Sequence, residues 1–411
     1  MKQPLQHHSQ PTALFRRGLC RFLCTLLCAL LLCTCALAES GDAHGQVFLF
    51  GGSHEEHVYR DMLVLPNGNM LFCCTTDAPP EGQKREVFLS KAWLLCLTPE
   101  GNVAWEKFFG EPGTQNVAFS PILLADGRIA VKFHSSKQQN MFYAGVKYFS
   151  QEGELLEESD AATPDAPLHN DYFPIENGYV KTHFLENGGR ELSLADAEDT
   201  AHWTIPIDRI LAPRSVLATP EGLVITGGST QDRDSQIYIP SLYMLSWENG
   251  DILWHALLDD HENHWLNAPI ATADGGFATL GRRRLRDTEW ETEPILLKWD
   301  RRGALEWERV YSDTLQKQEL AIGILELEQG YAILYLSNSG TIINLLITDK
   351  QGNEIAHAPL PYAAGIFLGA PSMTLIDGMV WLFDSAEQRN GRYDVAILRL
   401  DVEALAKGLM P

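Results

Sequence analysis

Basic residues are scarce in this chain: 32 Lys and Arg stand against 54 Asp and Glu, for a formal charge of −22. That balance argues against nucleic acid or an anionic membrane surface as a main partner, since both attract positive charge. The four bases before position 39 (Lys2, Arg16, Arg17, Arg21) have no acidic counterpart there, so the remaining 373 residues carry about −26. Cysteine is scarcer than its count of 8 suggests, because only Cys73, Cys74 and Cys96 lie beyond residue 38. An odd count in a large domain excludes a disulfide framework, and there is no CxxC and no zinc-type Cys/His spacing. Also missing are G-x-S-x-G, a Walker loop and a dinucleotide fingerprint. No catalytic residue is therefore legible, and no cofactor is expected. Long helical patterns are lacking as well. Only the tail VEALAKG and the stretch 191–199 look mildly helical, which argues against βαβ units.

What is present begins with an address. Phe22 to Ala38 reads FLCTLLCALLLCTCALA, 17 residues without a charge, preceded by Arg16, Arg17 and Arg21. Ala36-Leu37-Ala38 supplies a small-x-small cleavage signature, so residues 1–38 read as a secretory signal. Retention as an anchor is the competing reading, with the run at the low edge of spanning length. Buried free thiols are expected at Cys73, Cys74 and Cys96, because MLFCC and LLCL are apolar. Cys73 and Cys74 are adjacent on an expected strand and must point to opposite faces. An apolar share of 45%, with 10 Trp, 17 Phe and 12 Tyr, excludes a disordered chain.

The strongest signal is internal repetition. An apolar run, an acidic residue or Asn with Gly, and a second apolar run recur seven times. The copies are MLVLPNGNMLFCC (62–74), PILLADGRIAVKF (121–133), YFPIENGYVKTHF (172–184), SVLATPEGLVITGG (215–228), PIATADGGFATLG (269–281), ILELEQGYAILYL (324–336) and SMTLIDGMVWLF (372–383). Their marker glycines, from Gly68 to Gly378, recur about every 52 residues. Each copy predicts a hairpin of two short strands.

A second hairpin follows most copies: apolar strand, Gly turn, then a strand carrying Trp. Clear instances are WLLCLTPEGNVAWEKFFG (93–110), LYMLSWENGDILWHALL (242–258) and ILLKWDRRGALEWERVY (295–311). YFSQEGELLEE and LLITDKQGNEIAHAPL keep the turn without the Trp, and the third copy keeps Trp203 without a turn glycine. Two hairpins per repeat make a four-stranded antiparallel sheet, which at this period is the signature of a β-propeller blade. The seventh copy has no Trp strand after it. Residues 46–52 resemble WEKFFG and precede the first hairpin, so they are expected to complete the seventh blade and close the ring. Residues 39–411 are read as one all-β, seven-bladed propeller domain, with six blades as the alternative count.

LYMLSWENGDILWHALL resembles the PQQ-like β-propeller repeat, and LLKWDRRGALEWERVY is similar to repeats of secreted bacterial propellers. The resemblance implies the fold. Quinoprotein dehydrogenases with this fold bind a quinone and Ca²⁺ through dedicated residues that have no match here, so it implies no cofactor. Scaffold lipoproteins of outer-membrane assembly share the repeat without catalysis. Thr98-Pro-Glu-Gly-Asn-Val-Ala-Trp105 approaches the Asp-box of sialidase-like propellers, but its Trp falls one residue too far beyond Gly101.

Several residues could carry chemistry. HEEH (His54–His57) and HENH (His261–His264) sit just before the first hairpins of repeats one and five, so His54, His57, His261 and His264 are candidate metal ligands. Neither pair lies on an expected helix or has HExxH spacing, and solvated loop residues are the favoured reading. Asp232 and Asp234 could bind Ca²⁺ but lack the EF-hand pattern. Arg282, Arg283, Arg284 and Arg286 form the one basic cluster, able to meet a phosphate or carboxylate. Acids follow at once, so a surface charge mixture is the default reading. Trp105, Trp203, Trp254 and Trp307 keep one position in the repeat and are assigned to packing between blades. Trp247, Trp265 and Tyr331 depart from that position and are the candidates for a ligand face. The expected protein is an extracytoplasmic monomer that binds or scaffolds an unidentified protein or glycan, with no membrane contact beyond the signal. The alternative is a carbohydrate-active hydrolase or lyase with its site at the channel mouth.

Overall fold

A computed structural model describes residues 45–409, apart from 52–55, 78–89, 111–113, 137–141, 160–171, 185–189, 199, 208–210, 230–238, 259–264, 285–291, 312–319, 337–341, 361–370 and 388–391. Residues 1–38, the expected signal, lie outside the described residues.

Twenty-eight strands form seven four-stranded antiparallel sheets, and six of these sheets are consecutive in the chain. The first strand of each blade contacts the first strand of the next, which makes it the inner wall of a ring. Blade 1 runs outward through Glu56–Val64, Met70–Thr76, Lys91–Leu97 and Val103–Phe109. Its second and third strands are buried along almost their whole length, whereas its outer strand is mostly exposed. That gradient follows from stacking, because middle strands are covered on both faces by neighbouring blades. The seventh sheet is closed by the chain's own beginning. Gly45–Phe50 pairs antiparallel with Tyr393–Leu400, from Gly45 opposite Leu400 to Phe50 opposite Val395. The expected closure by residues 46–52 is therefore realised, one residue earlier at its start, and the blade count is seven.

Seven apolar clusters hold the ring together, one at each junction between adjacent blades. Cys73 joins the cluster shared with blade 2 and Cys74 the one shared with blade 7, as strand alternation requires. All three described cysteines are buried, and none is in a disulfide. Each fully buried Leu or Ile contributes about 1.5–3 kcal/mol, so the junctions dominate stability.

The Trp strands lock successive blades. Trp105 of blade 1 lies over Gly153 in the outer turn of blade 2, and its Nε1 donates to Gln151 O at 2.9 Å. Trp203 covers Gly250, Trp254 covers Gly303, Trp307 covers Gly352, and Phe48 of the closing strand covers Gly101. Two junctions lack this lock. On the outer strand of blade 2, Glu157 binds Arg128 at 3.1 Å, and Tyr148 beside it donates to Glu198 in the turn of blade 3 at 2.6 Å. On blade 6, Ala356 occupies the Trp position. There the C-terminal helix (Val402–Leu409) packs against the outer strand Glu354–Leu360, burying Val402 and Ala406. The tail is helical as expected. The stretch 191–199 is not: Arg190–Ala195 is the third strand of blade 3, because cross-strand pairing overrides its weak helical pattern.

Among the described residues no helix is long and apolar enough to cross a membrane.

Candidate functional site

The two ends of the ring differ. At one end, short turns join first to second and third to fourth strands. The inner turn of blade 1 spans Leu65–Asn69, with Gly68 at φ 83° donating its amide to Leu65 O at 2.9 Å. The marker Gly330 serves differently: a Cβ there would collide with the carbonyl of Thr348. At the other end attach the longer connections, including 78–89, 160–171 and 361–370.

Near that second end, the junction of blades 7 and 1 carries a polar seam. His57, on the inner strand of blade 1, is half-buried, with Nδ1 3.3 Å from Ser385 Oγ of blade 7. Its ring lies 4.9 Å from that of Tyr393. Glu56 accepts a hydrogen bond from Thr76 Oγ1 at 3.3 Å. A Cβ on Gly51 would stand 2.9 Å from Glu56 Oε2 and 2.8 Å from the Asp394 carboxyl carbon, so the two carboxylates flank one small cradle. His57 thus bonds across the closure of the ring. His54, His261 and His264, like Asp232, Asp234 and Arg286, lie outside the described residues. Among the described residues no group of three or more His, Cys, Asp and Glu side chains could hold a metal ion.

Nearly opposite, at the junction of blades 4 and 5, two arginines approach. Arg282 lies near the loop-bearing end of the second strand of blade 5 (Phe277–Arg284) and is half-buried. Its cross-strand neighbours are Trp265 and Pro294, residue types whose side chains carry no hydrogen-bond acceptor. Arg214 is exposed on the inner strand of blade 4 (Leu211–Thr219), which packs closely on the inner strand of blade 5. Among the described residues, neither guanidinium has a hydrogen-bond or ion-pair partner. Burial first, and then the charge of Arg214, hold the Arg282 guanidinium below its ordinary range. Of the arginine run only the Arg282 side chain is described, and it is half-buried. Register and burial single out Arg282, and the sequence offered no signal for its pairing with Arg214.

Two proposed ligand-face residues lie elsewhere. Trp247 is in the outer turn of blade 4, at the short-turn end, where Nε1 donates to Thr219 O at 2.9 Å. It packs on the cluster between blades 3 and 4. Tyr331 is 1% exposed, inside the cluster between blades 5 and 6, with Trp307 at 6.0 Å. The Tyr331 ring is thus enclosed, whereas the Trp247 ring is partly buried with its Nε1 engaged. Trp265 begins the inner strand of blade 5 at the loop-bearing end, and its side chain is outside the described residues.

At the short-turn end a shallow cleft of about 320 Å³ lies between the two turns of blade 5, lined by Asp274, Gly276, Asp300, Arg301, Arg302 and Glu306. Two of its carboxylates are paired from below. Lys298, buried beneath it, binds Asp274 at 2.8 Å and Glu306 at 3.1 Å. Burial pushes the Asp274 carboxyl up, but Lys298, the Thr272 hydroxyl and the Gly276 amide outweigh it and hold it at about 2.

The fold and its locks define a seven-bladed β-propeller. No family model matches the chain, and no curated protein matches it. Among solved structures it is similar to the extracellular domains 1–2 of Drosophila Semaphorin 1a, with TM-score 0.48 and 8% identity over 87% of this chain and 88% of that one. It is also similar to the WD40 domain of SCAP from fission yeast, with TM-score 0.39 and 10% identity over 87% and 98%. A third is the GH93 α-L-arabinofuranosidase of Fusarium graminearum, with TM-score 0.40 and 8% identity over 88% and 98%. The fold assignment rests on the strand order of the blades themselves.

Proposed function

We propose that this chain is an exported, monomeric β-propeller that binds or scaffolds a protein or glycan, using the loop-bearing end of the ring as its ligand face. The observation that carries this reading is the asymmetry between the ends. Short turns and aromatic locks occupy one end. The other gathers the longer connections around first- and second-strand ends that bear His57, Glu56, Arg214 and Arg282. A rigid ring presenting variable connections on one rim suits recognition. Export rests on the charge-free run and small-x-small signature of residues 1–38. PQQ-like repeat ancestry is part of the same proposal, on the repeat pattern alone.

A glycan and protein-partner binding screen with residues 39–411 tests the reading. A specific ligand whose binding is weakened by changes at the loop-bearing end, and untouched by changes in the short turns, is the expected result. Binding that maps to the short-turn end would overturn it. Turnover of a bound glycan would move the protein to the carbohydrate-active alternative.

A further inference from the structure

We infer that the outer strand of blade 4, Ile252–Leu257, is a docking edge for an extended segment of another protein, one with alternating apolar residues and basic residues at its ends. The strand lies on the flank of the ring, so this is a second surface, separate from the ligand face above.

A sheet edge invites strand pairing, and proteins blunt it with charge, proline or a covering element. The other outer strands are blunted. Val103–Phe109 and Leu155–Ser159 carry two charges each, and Leu305–Val310 carries three. Ala201–Pro206 ends in proline, and Glu354–Leu360 holds Pro359 and has the C-terminal helix packed against it. Gly45–Phe50 packs Val47, Phe48 and Phe50 onto the junction clusters. Ile252–Leu257 reads ILWHAL, with no acid, lysine, arginine or proline. Ile252 is 50% exposed, Leu253 52% and Leu257 39%, and His255 is exposed between the two leucines. The Leu258 amide donates to Pro240 O at 3.1 Å, so strand alternation turns the backbone N–H and C=O of Leu253, His255 and Leu257 away from the sheet. Their side chains share one face of the blade. An added strand gains main-chain hydrogen bonds from these residues and apolar contact from the two leucines.

Charge selects the occupant. Among the described residues of blade 4, Glu221, Glu248 and Asp251 are exposed acids, and the one Lys or Arg, Arg214, stands on the inner strand. Glu248 and Asp251 lie in the turn that leads into the edge strand. A segment with flanking Lys or Arg is attracted here. A second copy of this chain, at −22 and with the same acids beside its own edge, is repelled.

Fluorescence anisotropy of labelled peptides with the purified chain tests this. The probe is Lys-Lys-Val-Thr-Val-Thr-Val-Lys-Lys. One control has Glu in place of each Lys, and another has Pro in place of the central Val. Saturable binding of the probe is expected, at least tenfold tighter than that of either control. His255→Pro removes an outward amide that the sheet itself does not use, and should weaken probe binding at least tenfold. Leu253→Gln combined with Leu257→Gln removes the apolar contact instead, and decides the matter if His255→Pro folds poorly. Leu156→Gln, at an equally exposed position on the outer strand of blade 2, should change nothing. The inference falls if the probe does not bind saturably, or if binding survives both the proline and the double glutamine variants. It falls if the proline peptide binds as well as the probe, since charge alone would then hold it. It falls if the Glu-flanked peptide binds as well, since the occupant would then need no basic ends. A concentration-dependent dimer in sedimentation, abolished by His255→Pro, would also overturn it by making a second copy of this chain the occupant.

Discussion

The indole of Trp203 lies over Gly250 of the next blade, where a Cβ would stand 2.8 Å from Trp203 Cε3, and its Nε1 donates to the Trp247 carbonyl at 3.0 Å. The contact couples two blades through one ring. Trp203 is 8% exposed, so Trp203→Ala should cost about 3–4 kcal/mol in urea unfolding. Gly250 sits at φ 75°, where a side chain is strained as well as crowded, so Gly250→Ala should cost about 1–3 kcal/mol. The double variant should lose less than the sum, because removing the indole makes room for the methyl. Strict additivity would show that the two residues do not act as a lock.

Much of the ring is legible in the sequence because its geometry demands glycine at repeated places. Gly68 needs a left-handed backbone and Gly330 lies against a carbonyl, yet both produce the same apolar–Gly–apolar pattern. The tryptophans are legible for a related reason: each keeps the position that covers a turn glycine. The substitutes for the lock are not legible. Nothing local in Ala356 announces that a C-terminal helix will take the place of an indole. Nothing in Glu157 announces the neighbouring Tyr148–Glu198 bond across to blade 3. The candidate site was harder still. Tyr331 was set apart because it breaks the Trp register, but it breaks register by standing on an inner hairpin strand that two blades bury. The Arg282–Arg214 approach joins residues 68 positions apart, from different blades, and no periodic pattern encodes it.

Closure of the ring makes its own prediction. The strand Gly45–Phe50 supplies the outer edge of blade 7 and places Phe48 over Gly101 and against Trp381, 6.1 Å away. Removing residues 39–55 should therefore destabilise every blade together, seen as one cooperative transition at lower Tm rather than the loss of a small early phase. Phe48→Ala should cost about 2–3 kcal/mol, toward the low end for an aromatic truncation because the ring is only partly buried. A truncated chain that melts like the intact one would sink the closure account.

Asp274 and Lys298 give a pH-dependent test. The folded Asp274 carboxyl lies at about 2 against an ordinary 3.8, so its contribution is complete above about pH 4 and drains away as pH falls through about 2. The carboxylate side chain is 57% exposed, and solvent screening reduces the contribution to about 1 kcal/mol. Asp274→Asn should be less stable than the unmodified chain by about that amount at pH 6 and indistinguishable from it near pH 2. A stability difference that persists unchanged to pH 2 would show that the packing of the turn, and not the ion pair, is responsible.

The buried thiols report on the junctions. Burial pushes the Cys96 thiol up to about 12 and that of Cys74 well above its ordinary value. Only the thiolate is a good nucleophile, so both should resist a thiol reagent at pH 8 while the ring is intact. They sit in different clusters, Cys96 facing blade 2 and Cys74 facing blade 7 across the closure. If the ring opens first at its closure, Cys74 should label before Cys96 in low denaturant, and Phe48→Ala should speed Cys74 labelling more than Cys96 labelling. Residue-resolved mass spectrometry of the labelled chain separates the two rates. Equal rates for both thiols, equally affected by Phe48→Ala, would mean that the seven blades open as a single unit and that the closing strand is no weaker than any other junction.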